Sequence, residues 1–415
     1  MELYYSFSIL IVLTAIFSYI NERFLKLPST IGIMLMAMVG SIAVVLFGTI
    51  YPHLFEEFSS FIYRLDFTDV LMGAMLNFLL FAGAIHVKLS DLREQKGPVV
   101  VFSTVSVLIS TFVVGLLLYH ILPLVGLSAP LIECLVFGAL ISPTDPIAVL
   151  GILKKVGVSK SLETKVAGES LFNDGMAVVV FVVLLQLAQG KEMDLSFANV
   201  TWLFVKEALG GIALGIVLGL IGVRGMKKID SHNVSAIITL AIVMGGYLVA
   251  RSMHISGPLV MVASGLVVGN VSRRDDVLSV TARDYLNKFW ELIDEIMNAI
   301  LFLIIGFELI LIRDITDYWL IGVISIALVL FARWISIWIP TKIIPFKTKF
   351  NKETVRILVW GGLRGGVSVA LALSIDERLH KELFLSITYV IVVFSIFVQG
   401  LTIGKVVKKV SEGGE

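Results

Sequence analysis

The segment GESLFNDGMAVVVF, residues 168–181, sets Glu169 and Asp174 five positions apart, directly ahead of an apolar run. Upstream, ISPTDPIAV (141–149) places Asp145 between two prolines. Downstream, WGGLRGGVSV (360–369) places Arg364 among four glycines. Each lies in a stretch apolar enough to enter a bilayer. A charged residue there costs roughly 2.5–3.5 kcal/mol on insertion scales, and such a residue is read as functional. Removal from water disfavours an ionised carboxylate, and once deprotonated it needs a cation. Proton and metal ion then compete for one group, which is a sufficient chemical basis for exchanging them. Asp174 stands about ten residues into its span, or about 15 Å, half of a hydrocarbon core of about 30 Å.

A small alkali cation takes several hard oxygen donors, and Thr144, Asp145, Ser170 and Asp174 offer them. Ser170 and Asp174 are four apart, hence on one helical face; Glu169 and Asn173 share another. An intramembrane arginine needs a counter-charge. For Arg364 the expectation is Glu169, a structural pair closing two halves of the chain together, with Asp145 as the alternative. Plainer readings stand beside these. Asp174 could be a structural carboxylate neutralised by a neighbour. Thr144-Asp145 suits an N-cap of a second half-helix, which is compatible with cation binding. Lys206 and Glu207 read as snorkelling residues. Glu291, Asp294 and Glu295 suit a helix N-terminus, or else draw cations into an inner funnel. Arg333 either snorkels or packs against a helix end. The six histidines fall at span ends or in loops with no metal-ligand spacing, and Cys134 reads as a small buried hydrophobe.

These residues need a membrane scaffold, and the composition supplies one. The 415 residues are 57% hydrophobic, with mean hydropathy +0.95 and a formal net charge of +1. Soluble domains are about 45–50% apolar. Near-neutral charge implies no polyanionic partner, nucleic acid included, and one cysteine makes neither an intramolecular disulfide nor a cysteine metal cluster. Apolar runs recur end to end, so we expect a single all-α membrane-embedded unit over 1–415. Thirteen spans are expected at roughly 4–20, 29–48, 68–87, 98–120, 130–153, 164–188, 202–223, 233–250, 257–271, 290–312, 318–338, 355–374 and 383–404. The N-terminus carries Glu2 where a signal peptide would be basic, and reads as a retained first span. With it placed outside, 23 of the 33 lysines and arginines fall in inner segments and 6 in outer ones. The positive-inside rule then puts the C-terminus in the cytoplasm, with no regulatory tail expected after the last span.

Internal similarity adds an inverted repeat. MLNFLLF (75–81) matches IMNAILF (296–302), and LPSTIGIMLMAMVG, which opens the second span, matches ISGPLVMVASGLVVG, which opens the ninth. Both pairs are seven spans apart, so partners cross the membrane in opposite directions. Transporters of this design bind near the midplane, where corresponding helices are interrupted. The fifth span carries Pro143 and Pro146. Its partner, the twelfth, carries Gly361, Gly362, Gly365 and Gly366.

SPTDPIAV followed by GESLFNDG resembles the monovalent cation:proton antiporter-1 family, the sodium/proton antiporters of the NhaP type. The likeness extends over essentially the whole chain, through FLLFAGAIHVKLSDLR, ISGPLVMVASGLVVGN, NAILFLIIGFEL and WGGLRGGVSVALAL. It implies a thirteen-helix homodimer, a transporter rather than an enzyme, in the inner (plasma) membrane. An ion-carrying core, residues 98–188 and 318–404, would move against a dimerisation domain, residues 1–97 and 189–317. Asp174 would carry proton and cation (Na+, Li+) alternately, with no cofactor. Thr144, Asp145, Ser170 and Glu169 would shape the site, and Arg364 would pair with Glu169. Asn173 before the aspartate implies one cation for one proton. A K+/H+ antiporter of the same fold is the rival. An aspartyl protease built on Asp145 and Asp174 is remoter, because the Gly-x-Gly-Asp segment of such proteases is absent. A passive cation channel explains the interrupted helices but not a carboxylate that must neutralise itself.

Overall fold

The computed structural model describes residues 2–48, 75–146, 149–151, 153, 158, 160–190, 197–229, 231–273, 277–308, 315–346 and 350–412. The start of the third span (68–74), the end of the tenth (309–312) and part of the fifth fall outside these. Among the described residues the chain is all-helical, with no β-strand. In order the helices are α1 (Glu2–Ile20), α2 (Ser29–Gly48), α3 (Leu76–His86), α4 (Leu89–Glu94), α5 (Lys96–Ile121) and α6 (Leu131–Leu140). Then come α7 (Lys160–Ala188), α8 (Phe197–Lys227), α9 (His232–Met253), α10 (Gly257–Val271) and α11 (Val280–Glu308). The last are α12 (Ile315–Ile343), α13 (Lys352–Trp360), α14 (Gly366–Leu373), α15 (Lys381–Phe394) and α16 (Gly400–Glu412), with a π-helical turn, Ser395–Gln399, between the final two.

Eight of the described helical stretches are long and apolar enough to cross a membrane. Large apolar side chains such as Leu46, Ile221, Leu248 and Phe331 face outward. A helix satisfies its own backbone, so it can expose an apolar surface to lipid at no polar cost. Packing between helices then depends on close approach rather than on hiding from water. α5 packs against α6, α7 and α12, and α12 against α15; α10 packs against α8 and α3, and α11 against α2. Glycine permits the tightest of these contacts. A Cβ at Gly138 of α6 would strike the Thr111 carbonyl of α5, and one at Gly269 of α10 would strike the Ile85 carbonyl of α3.

Two helices are interrupted. α6 stops at Leu140, residues 142–146 carry no helix, and helix resumes at 149–151. α13 stops at Trp360 and α14 begins at Gly366. Pro143 and Pro146 each remove an N–H and clash with the preceding turn, which accounts for the first break. The breaks lie against each other: the Asp145 N–H donates to the Leu363 carbonyl at 2.8 Å, an isolated antiparallel bridge. Gly365 must be glycine here, because a Cβ on it would meet the Asp145 carboxylate, with Oδ2 at 2.6 Å.

Candidate functional site

A cavity of about 500 Å³ reaches the crossing point. Asp145, Ser170 and Asp174 line it, with Asp294 and Asn298 of α11 and Ser368 of α14. Lys88 and Asp91, at the start of α4, and Lys160 and Glu163, in the first turn of α7, also line it. Asp145 and Asp174 are half-buried, so both keep access to the cavity from inside the fold.

Thr144 is placed differently. It is buried and does not line this cavity. Its hydroxyl accepts from Asn173 Nδ2 at 2.7 Å, and its carbonyl accepts from the Ser170 hydroxyl. Ser170 and Asn173 therefore both hold the non-helical segment after α6 in place. Asn173 reaches the same segment as Ser170, although the wheel puts it on the Glu169 face. One turn of α7 thus buttresses the break while Asp174, the next residue, is left facing the cavity.

The expected Glu169–Arg364 pair is not formed. Glu169 Oε1 meets Arg333 Nη1 of α12 at 2.5 Å, with both residues buried. Arg333 also donates to the Leu358 carbonyl near the end of α13, from Nη2 at 3.0 Å and Nε at 3.3 Å. It packs on a helix end and does not snorkel. Arg364, 2% exposed, donates from Nη1 to the carbonyls of Ser142 at 2.8 Å and Pro143 at 2.9 Å. Its own N–H is held by the Ser395 hydroxyl at 2.8 Å, presented by the π-helical turn. Open backbone carbonyls at the two helix breaks account for these partners. The last carbonyls of a helix are unsatisfied and carry partial negative charge, and a cation there is stabilised. Arg333 meets such a carbonyl in the last turn of α13, and Arg364 meets the Ser142 and Pro143 carbonyls of the non-helical segment that follows α6. Arg364 thus donates to backbone carbonyls through Nη1 alone, and its Nε and Nη2 have no hydrogen-bond partner.

Other charged residues divide similarly. Lys206 is exposed, as a snorkelling side chain would be, but Glu207 is buried. His380 ties the start of α15 to Glu133 of α6, Nδ1 to Oε2 at 2.7 Å, and Cys134 is buried and free. Asp294 lies on the cavity wall in the middle of α11, which begins at Val280, and not at the helix start expected for it. The available signal was Asn298, one turn on and on the same face. Among the described residues no group of three or more His, Cys, Asp or Glu is arranged to hold a metal ion. The arrangement suits a transient ion, with the carboxylates of Asp145, Asp174 and Asp294 all on the cavity wall.

A family model described as "Sodium/hydrogen exchanger, transmembrane" matches residues 10–409. The chain is 47% identical over 411 residues to the Na(+)/H(+) antiporter NhaP of Pseudomonas aeruginosa, covering 97% of this chain and 96% of that one. It is 33% identical over 392 residues to the Na(+)/H(+) antiporter NhaH of Halobacillus aidingensis, covering 93% of each. In fold it is similar to the sodium proton antiporter MjNhaP1 of Methanocaldococcus jannaschii, with a TM-score of 0.79, 20% identity and 100% of both chains covered.

Proposed function

The chain belongs to the sodium/hydrogen exchanger family, and on that premise we propose that it exchanges Na+ and Li+ for H+, one for one, by alternating access. Asp174 binds either the proton or the cation. The observation that carries this reading is the placement of Asp174 on the cavity wall, while Ser170 and Asn173 beside it hold Thr144, and Arg364 donates to the Ser142 and Pro143 carbonyls. Its charge is thus left for the cargo. Asp145, and Ser170 in a secondary role, complete the oxygen set with Thr144 behind them. The name of the Pseudomonas relative supports Na+ as the cation. Asn173 supports electroneutral exchange, since a second acid there would bring a second charge.

The moving part is a core of residues 98–188 and 318–404, sliding against a dimerisation domain of residues 1–97 and 189–317 in a homodimer. Mutual packing of α5, α6, α7, α12 and α15 supports that division. We assign thirteen spans related as an inverted repeat, with the N-terminus outside and the C-terminus in the cytoplasm. The crossed interruptions of α6 and α13–α14 support the repeat. Lys88 and Lys160 beside the cavity support an opening toward the positively charged inner face.

The test is reconstitution into proteoliposomes carrying a pH dye, pulsed with Na+, Li+ and K+ in turn. Wild-type protein should move protons with Na+ and Li+, and show no net current on a solid-supported membrane. Lowering the pH should raise the apparent KM for Na+, because protons occupy the same group. Asp174→Asn should abolish the flux; full Na+-dependent flux in that variant would sink the mechanism.

A further inference from the structure

We propose that the chain holds a second alkali-cation position on the cavity wall formed by Asp294 and Asn298 of α11 and Ser368 of α14. It rests on the exchange reading above and adds a station to it. Asp294 and Asn298 are one turn apart and both line the cavity. Asn298 is 4% exposed, and its Nδ2 donates to the Asp294 carbonyl at 2.9 Å. That bond sets the amide's orientation, because turning it would face two acceptor oxygens together. Asn298 Oδ1 is then left with no hydrogen-bond partner. Ser368 lines the same cavity, is fully buried, and its hydroxyl oxygen also has none.

The two helices meet between these groups. A Cβ on Gly366 would overlap Leu301, which follows Asn298 by three residues as Gly366 precedes Ser368 by two. A buried polar group without a partner costs about 1–3 kcal/mol. A carboxylate, an amide oxygen and a hydroxyl oxygen are the hard donors that replace an alkali cation's hydration shell. An anion would be repelled by Asp294, and an apolar molecule would leave all three oxygens bare. The ligand class is therefore a small monovalent cation. Asp145 and Asp174 line the same cavity as Asp294, so a cation held at α11 has further carboxylates on the way to Asp174. Asp294 and Asn298 belong to the proposed dimerisation domain and Ser368 to the core. The position is complete only while α14 lies against α11, and sliding would break it after the cation has passed inward.

Binding of Na+ to the purified full chain, counted with ²²Na+, tests this apart from transport. Asp174→Asn protein should still bind one Na+ per chain, and adding Asn298→Ala or the smaller change Ser368→Ala should weaken that binding about tenfold. In the otherwise unaltered chain, Asp294→Asn should raise the Na+ KM about tenfold with Vmax within about twofold. Asp174→Asn protein that binds no Na+, or binds it equally well with and without Asn298 and Ser368, overturns the second position. Neither result touches the exchange reading, which falls only if Asp174→Asn still exchanges.

Discussion

Glu169 and Arg333 illustrate how a buried charge is settled. The sequence shows that Glu169, Arg333 and Arg364 all lie in apolar spans and all require partners. It does not show which carbonyls a broken helix leaves open, and those carbonyls decide the pairing. Once α6 ends at Leu140, the Ser142 and Pro143 oxygens attract Arg364, and Glu169 is left to Arg333. Removing one member of a buried pair leaves the other uncompensated, at about 3–5 kcal/mol. Glu169→Gln should therefore lower thermal stability in detergent by about that amount. Glu169→Gln combined with Arg333→Met should recover most of it. If Arg364→Met were the better rescue, the assignment of partners would be reversed.

At the scale of the element, both interruptions are legible in advance. Proline and clustered glycine weaken helix for reasons internal to the residue, so Pro143, Pro146 and Gly361–Gly366 mark the breaks without any knowledge of the fold. The register of their contact is not legible. It depends on which N–H meets which carbonyl across 218 positions of chain, here Asp145 and Leu363. The same contact explains one glycine. Gly365→Ala pushes a methyl group against the Asp145 carboxylate. Its Na+-dependent proton flux should fall at least about tenfold, as misplacement of about 1 Å can cost two orders of magnitude. The protein should still insert and remain monodisperse on gel filtration, because the change is local.

For the whole molecule, chain direction can be read from lysine and arginine, since the bias follows from insertion and is written along the sequence. Which face the cavity opens to in a given state is not written there, because the proposed alternating mechanism requires both. Cys134 makes this measurable: it is the single cysteine and is buried. With Cys134→Ser as background, Ala167→Cys on the cavity wall should react with a membrane-impermeant maleimide from the cytoplasmic side. Excess Na+ should slow the labelling by populating the other state. Labelling confined to the outer side would invert the proposed topology.

The Glu169–Arg333 pair also constrains biogenesis. A ribosome makes Glu169 about 160 residues before its partner, roughly ten to thirty seconds at 5–20 residues per second. During that interval α7 is in the translocon or bilayer with an uncompensated acid, and it can complete folding only after α12 arrives. A chain truncated before α12 would display that acid to membrane quality control. The ion pair thus joins two stretches of the polypeptide that can meet only when both have been synthesised.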